Sequence, residues 1–350
     1  MNQGAKEQIQ TECRMILEGQ AELLKPLADS IVTISGAGFL GSWLSEMIIS
    51  LNDVYSFQTK VNLITRNADK LEFERSHLCD RKEFNVIEED VRNISEIPVE
   101  SKWMIHTAAC PDNRVHVSNP VETMSSIAMG TENILRCIDR CTNFEMLLNL
   151  SSGLVYGEQP MDLAYISEEF QGAPQINSLS DSYAESKRYS EFLCNSYRTQ
   201  FHIPIINVRP FAFIGPYQSI ESPWAINNFI KDAMIGRAIR VLGDGDTVRS
   251  YMYPSDAAFW ILRILTSAKS GTYYNLGSDQ AIKLSELASL IGKNFSSDVE
   301  ILLSVGSEEN NKSSRLVPDI SKAKKEFDLS ISVNLDEALN RTIAFYQLEN

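Results

Sequence analysis

The run Ile31-Val32-Thr33-Ile34-Ser35-Gly36-Ala37-Gly38-Phe39-Leu40-Gly41 joins a short apolar segment to a glycine turn. Branching at Cβ in residues 31–34 favours a strand buried on both faces, as in a parallel sheet. Residues 36–41 match G-x-G-x-x-G, and residues 42–49 continue with a helical pattern. In strand–turn–helix order such glycines let the backbone approach a pyrophosphate at the helix N-terminus. The spacing therefore predicts a phosphate-cradling turn at Gly36, Gly38, Phe39, Leu40 and Gly41.

Further apolar runs at 61–64, 84–87, 103–106, 146–150 and 205–208 read as buried strands, with helical patterns at 121–140 and 182–200. Strands alternating with helices imply an α/β architecture, a Rossmann-type doubly wound parallel sheet. After about residue 211 the alternation loosens, turn signals such as Gly243-Asp244-Gly245-Asp246 multiply, and late helices fall at 284–291 and 335–346. Three segments are expected: a helical extension over 1–30, a dinucleotide-binding domain over 31–210, and a smaller, mainly substrate-binding C-terminal lobe over 211–350, free to interleave with the second. In the extension, Ile9, Cys13, Ile16, Leu23 and Leu24 fall near helical spacing and Pro26 marks an end. Its expected role is packing on the main domain or on a partner subunit.

With 350 residues the chain can fill more than one core. Its 46 acidic against 32 basic residues leave a formal charge of −14, which opposes nucleic-acid binding and docking on anionic lipid. The six cysteines, Cys13, Cys79, Cys110, Cys137, Cys141 and Cys194, lack metal-ligand spacing, so no metal site and no disulfide framework is expected. No apolar run reaches a bilayer span and the N-terminus lacks a signal-type apolar stretch, so the cytoplasm is the default.

The end of the second strand bears on the nucleotide. An acid there would suit a ribose 2′-hydroxyl, whereas arginine suits a 2′-phosphate. The strand ends Leu63-Ile64-Thr65-Arg66-Asn67, so NADP(H) is favoured and NAD(H) stays open, with Arg66 as a solvated loop charge the plainer alternative.

The motif series resembles the extended short-chain dehydrogenases/reductases, the NAD-dependent epimerase/dehydratase family of nucleotide-sugar enzymes. The likeness runs from Ile31 to the C-terminus. It rests on Asp90-Val91-Arg92, His106-Thr107-Ala108-Ala109, Gly130-Thr131-Glu132-Asn133, Ser151-Ser152-Gly153-Leu154-Val155-Tyr156-Gly157, Tyr183-Ala184-Glu185-Ser186-Lys187, Arg209-Pro210-Phe211 and Gly215-Pro216, in that order. The resemblance implies that Asp90, Val91, Ala108, Ala109 and Lys187 join the glycine turn in binding the cofactor. It implies that Ser152 hydrogen-bonds the substrate oxygen while Tyr183 moves the proton.

Spacing supports the last pair. Tyr183 and Lys187, four residues apart, share a helix face. A free phenol has a pKa near ~10, and a neighbouring ammonium with a cationic nicotinamide would lower it. As isolated residues they would more simply be a solvated helix face; the surrounding motifs reverse that reading.

The same comparison narrows the reaction. Sugar 4,6-dehydratases resembling this chain carry an acid pair where Gly153 and Leu154 stand, and the glutamate of the sugar-acid decarboxylases is also absent from this strip. A 4-keto reductase of a nucleotide-linked 6-deoxysugar leads, a 4-epimerase with tightly held NAD follows, and a non-catalytic cofactor-binding protein comes last. Arg249, after the Gly243 turn, and Arg315, before Pro318-Asp319, resemble arginines that grip the substrate diphosphate. The chain departs from the family at Ser35 (glycine expected), Ile127 and Ala212 (asparagine expected at both). A homodimer paired through the helices at 121–140 and 182–200 is the expected assembly.

Overall fold

The structure, a computed structural model, describes residues 1–295, 299–304 and 313–349. The chain opens with α1 (Gln3–Leu17) and a 3-10 segment (Ala21–Leu27). The first half continues through β1 (Ile31–Ser35), α2 (Phe39–Tyr55), β2 (Lys60–Thr65), α3 (Ala68–Cys79), β3 (Phe84–Glu88), β4 (Trp103–His106), α4 (Asn113–Ser118), α5 (Pro120–Ile138) and β5 (Met146–Leu150). Then follow α6 (Ser182–Phe201), β6 (Ile205–Pro210), β7 (Ala212–Phe213), α7 (Ala225–Met234), β8 (Ile239–Leu242), β9 (Val248–Arg249), β10 (Tyr251–Met252) and α8 (Pro254–Ser267). The last elements are β11 (Tyr273–Leu276), β12 (Ile282–Lys283), α9 (Leu284–Gly292), β13 (Ile301–Ser304), β14 (Arg315–Leu316), α10 (Ser321–Phe327) and α11 (Leu335–Glu349).

Seven strands form one sheet in the order β11-β6-β5-β4-β1-β2-β3, and every pairing in it is parallel. Each of the five strand segments expected beyond β1 lies in this sheet. The order reverses between β1 and β4, and ligands of doubly wound sheets sit outside the carboxyl ends of the strands at such a point. One sheet face carries a core with Val32, Ile34, Leu63, Leu148 and residues of α2 and α8 such as Trp43 and Ile261. The other packs Met104 and Leu147 against Ile134 and Leu135 of α5 and Cys194 of α6. Burial of such side chains, at roughly 25 cal/mol per Å², holds both helical layers on the sheet.

β11 comes from beyond residue 211 yet pairs with β6 inside the main sheet, with Tyr274 opposite Val208. The remaining late strands build small sheets: β12-β9-β14, β13-β8 and β10-β7. The extension packs inward, with Ala5, Ile9, Cys13, Ile16 and Leu17 of α1 buried in the main core against α2, α8 and α11. Among the described residues no helix is long and apolar enough to cross a membrane.

Candidate active site

The glycine turn lies at the β1–α2 junction, and each glycine has its own steric reason. Gly36 has φ +103°, and a Cβ there would stand 2.6 Å from the Thr107 hydroxyl. A Cβ on Gly41 would meet the Gly36 carbonyl oxygen at 1.9 Å. Gly38, the N-cap of α2, has nothing within 4 Å of its Cβ position. Open space before the unpaired N–H groups of a helix's first turn suits a pyrophosphate, so the turn fits a dinucleotide.

A cleft of about 980 Å³ opens there. Gly36, Gly38, Phe39, Arg66, Asp90, Val91, Ala108 and Ala109 all line it, whereas Leu40 and Gly41 sit behind it in the first turn of α2. Arg66 is exposed at the rim beside Asn67, whose side chain caps α3 by accepting from the Lys70 N–H at 2.8 Å. Asp90 pairs with Arg92 at 2.7 Å, and this guanidinium holds its carboxyl below the usual range. Gly130 leaves room for Val91, since a Cβ there would lie 2.7 Å from Val91 Cγ2.

Sequence reasoning missed other lining residues. Lys70 and Arg75 of α3, Tyr217, Phe345 and the chain ends Met1 and Glu349 also face the cleft. Arg75 sits at a kink in α3 with its guanidinium 4.5 Å from the Tyr217 ring centroid, and Tyr217 donates to Glu46 at 2.5 Å. Only the position of Tyr217 after Gly215-Pro216 offered a signal.

Ser35, at the expected glycine, ends β1 with its hydroxyl 2.6 Å from Nδ1 of His106. Thr131 Oγ1 donates to the Ile127 carbonyl at 2.7 Å, so it accepts from His106 Nε2–H at 3.2 Å, and Nδ1 accepts from Ser35. Burial drives the His106 pKa down to about 3, consistent with this neutral tautomer. A buried hydroxyl–imidazole chain thus ties β1, β4 and α5 together beneath the turn.

The catalytic candidates gather beyond Ala108 and Ala109. Tyr183 and Lys187 project from the first turns of α6, while Ser152 follows β5. All three are buried. None lines the cleft itself, which stops at Cys110, Pro111 and Val115 on their near side. Lys187 Nζ donates to the Leu150 carbonyl at 2.6 Å and stands 5.8 Å from the Tyr183 ring centroid. Burial lowers its pKa to about 8. Burial also pushes the Tyr183 phenol well above its ordinary value, and the nearby Ser152 hydroxyl opposes that rise. Ser152 Oγ accepts from the Leu154 N–H at 3.1 Å, leaving its own proton to donate. No local pattern marks His116, whose ring stacks on Tyr183 at 4.5 Å.

Arg249 and Arg315 lie on neighbouring strands, yet the register pairs Arg315 with Val248, not with Arg249. Each guanidinium turns to local acceptors: Arg249 to Val248 O at 2.8 Å and Ser314 Oγ at 2.9 Å, Arg315 to Ala164 O at 3.0 Å. Among the described residues the two guanidiniums share no acceptor. Burial lowers the Arg249 pKa, and no salt bridge joins it to a carboxylate among the described residues.

A parallel sheet with a glycine turn at its switch point defines a dinucleotide-binding fold, and the motif order with a Ser–Tyr–Lys group narrows it to the short-chain dehydrogenase/reductase class. The family model for the NAD dependent epimerase/dehydratase family matches residues 32–277, and the chain belongs to that family. It is 30% identical over 319 residues to UDP-glucuronic acid decarboxylase 1 of Xenopus tropicalis, covering 91% of this chain and 72% of that protein. It is 29% identical to UDP-glucuronic acid decarboxylase 6 of Arabidopsis thaliana, covering 88% of this chain and 86% of that one. The fold matches the UDP-glucuronic acid 4-epimerase of Bacillus cereus, solved with UDP-glucuronic acid and NAD, at TM-score 0.78 and 23% identity, over 91% of this chain and 100% of that one. A dTDP-glucose 4,6-dehydratase from Streptomyces venezuelae, solved with NAD, matches at TM-score 0.79 and 20% identity, over 91% and 97%.

Proposed function

We propose that the protein is a nicotinamide-dependent 4-keto reductase of a nucleotide-linked 6-deoxysugar. The observation that carries this reading is the strip after Ser152. Gly153 offers no side chain, and a Cβ there would already stand 2.9 Å from the Phe211 ring. Leu154 is apolar. Neither position carries an acid–base group for water loss, which favours chemistry that stops at hydride transfer. The curated relatives are named decarboxylases, but the glutamate that the resemblance assigns to such enzymes is missing from this strip.

When bound, the reduced dinucleotide supplies the hydride to C4. Tyr183 Oη then gives its proton to the C4 oxygen, and Ser152 Oγ–H donates to that oxygen and orients it. Lys187, charged below about pH 8, holds a ribose hydroxyl and steadies the phenolate left on Tyr183. Arg249, half-buried, offers a diphosphate a cation without a carboxylate partner among the described residues. Arg315, half-buried on the adjacent strand, is a second contact once its bond to Ala164 is released. Arg66 and the N-terminus of α3 favour NADP(H) at the adenosine end; NAD(H) is the alternative.

A 4-epimerase reading also stands, favoured by the fold match to an epimerase solved with NAD. The deciding experiment adds NADPH and a nucleotide 4-keto-6-deoxysugar to the purified protein and follows NADPH absorbance. Net oxidation supports the reductase; retained NAD with interconversion of C4 epimers and no net cofactor use would sink it. Tyr183→Phe is expected to lower turnover on the order of 10²- to 10⁴-fold and leave cofactor affinity intact. Activity surviving that change removes the catalytic assignment.

The assembly we infer is a homodimer through α5 and α6. Val121, Met124 and Met129 on α5 and Tyr189 and Phe192 on α6 are large apolar side chains left exposed.

A further inference from the structure

We propose that His116 is a positioning residue for Tyr183, setting the plane and the reach of the phenol from behind. The inference rests on the catalytic reading of Tyr183 given above.

The two rings lie face to face, with centroids 4.5 Å apart and planes 9° from parallel. Both belong to buried residues. Close packing of two flat faces leaves each ring one orientation, because rotation about χ2 of either would drive an edge into the other. The imidazole is itself fixed. Its Nε2–H donates to the Cys110 carbonyl at 2.8 Å, so the ring cannot turn without losing a buried bond. A second tie acts on the backbone: the His116 carbonyl accepts from the Ser182 hydroxyl at 3.2 Å, one residue before Tyr183. His116 therefore grips the start of α6 at two points, the ring and the preceding residue.

Ser152 bonds the phenol only at its hydroxyl end, and no other ring among the described residues stacks on Tyr183. Lys187 Nζ is 5.8 Å from the ring centroid and is engaged by Leu150 O. Proton transfer requires the phenol oxygen to lie within hydrogen-bond reach of the C4 oxygen, and a displacement of about 1 Å can cost on the order of 10²-fold in rate. α4 has six residues and its N-cap is the Asp112 side chain, accepting from Arg114 N at 2.9 Å. This short, capped turn carries the plate on which the catalytic ring rests.

The test uses three variants of the full chain. His116→Phe keeps a flat face, His116→Leu fills volume without one, and His116→Ala removes both. With NADPH and dTDP-4-keto-6-deoxyglucose, Leu and Ala should lower kcat on the order of 10- to 100-fold, with KM and NADPH affinity unchanged and most of kcat restored by Phe. In NMR spectra of the apo protein, the Tyr183 ring signals, identified by their loss in Tyr183→Phe, should lose the ring-current shift in Leu and keep one in Phe. Should Ala fail to fold, the Leu–Phe pair decides alone. Wild-type kcat in Leu, equal loss in Leu and Phe, or a loss confined to KM or NADPH affinity would overturn the proposal. A Tyr183→Phe enzyme that still turns over sinks the underlying reading instead; a dead Tyr183→Phe beside a fully active His116→Leu sinks only this inference.

Discussion

Buried single groups set the pH response of this molecule. His106 titrates near 3 in the folded chain against an ordinary value near 6.5, because burial penalises the imidazolium. The unfolded chain therefore takes up the proton first, and stability present above about pH 6.5 is lost as pH falls toward 3. Asp256 works the other way. Burial raises its pKa from 3.8 to about 6, so its contribution is present below 3.8 and lost as pH rises through 6. The His106 displacement is the larger of the two, so within this pair the loss on the acid side dominates. His106→Asn is expected to shrink the difference between denaturation midpoints at pH 7 and pH 5; an unchanged difference would count against this assignment. Arg66 carries a second residue-level expectation. Its loss in Arg66→Ala should weaken NADPH binding by roughly 10- to 100-fold, the worth of a charge-assisted hydrogen bond, and leave NADH nearly untouched. Equal loss for both cofactors would remove its role in reading the 2′ position.

The β1–turn–α2 unit separates folding from binding within a few residues. At Gly41 a side chain would press on the Gly36 carbonyl, with no flexible neighbour to yield. Gly41→Ala should cost about 1–3 kcal/mol, as overpacking does, visible in a lowered melting temperature. At Gly38 the Cβ position is open, so Gly38→Ala should change stability by less than about 1 kcal/mol. Its effect should fall on the ligand instead, with dinucleotide affinity reduced more than about tenfold in a fluorescence titration. If Gly38→Ala bound the cofactor as wild type, the turn would not be holding a pyrophosphate. α1 shows a different element-scale logic. Ile9 and Leu17 are fully buried in the main core, so the extension is part of the fold it precedes.

Across the whole molecule, chain order and spatial order part company. β11 closes one edge of the main sheet although small sheets lie between it and β6 in sequence. Segments near the two ends of the chain meet beside the cleft at the glycine turn, where Asn2 N donates to the Glu349 carboxylate at 2.6 Å. The outer apolar face of α5 and α6 is the feature that asks for a second copy. Phe192 is 71% exposed on α6, and exposed apolar side chains grouped on one face are what the proposed homodimer rests on. Phe192→Glu should convert a dimer to monomers in analytical ultracentrifugation; a dimer surviving that change, or a monomeric wild type, would place the interface elsewhere or nowhere.

Local pattern alone determined the parallel α/β class, the glycine turn and the pairing of Tyr183 with Lys187. Each of these depends on residues near in sequence: β-branched runs, glycines at fixed offsets, two side chains one helical turn apart. Even the missing acids at Gly153 and Leu154 could be read one residue at a time. Tertiary structure decided what lies between distant segments. Ser35 looked like a defect in the turn until its hydroxyl met His106, 71 positions away. Arg249 and Arg315 reach adjacent strands only through the fold, where each meets its own local acceptors. His116 carried no pattern at all, since a lone histidine in a short turn gains meaning only from the ring packed on it. Such contacts are set by how sheet and helices stack, and that stacking is a sum over the whole core that no window of sequence contains.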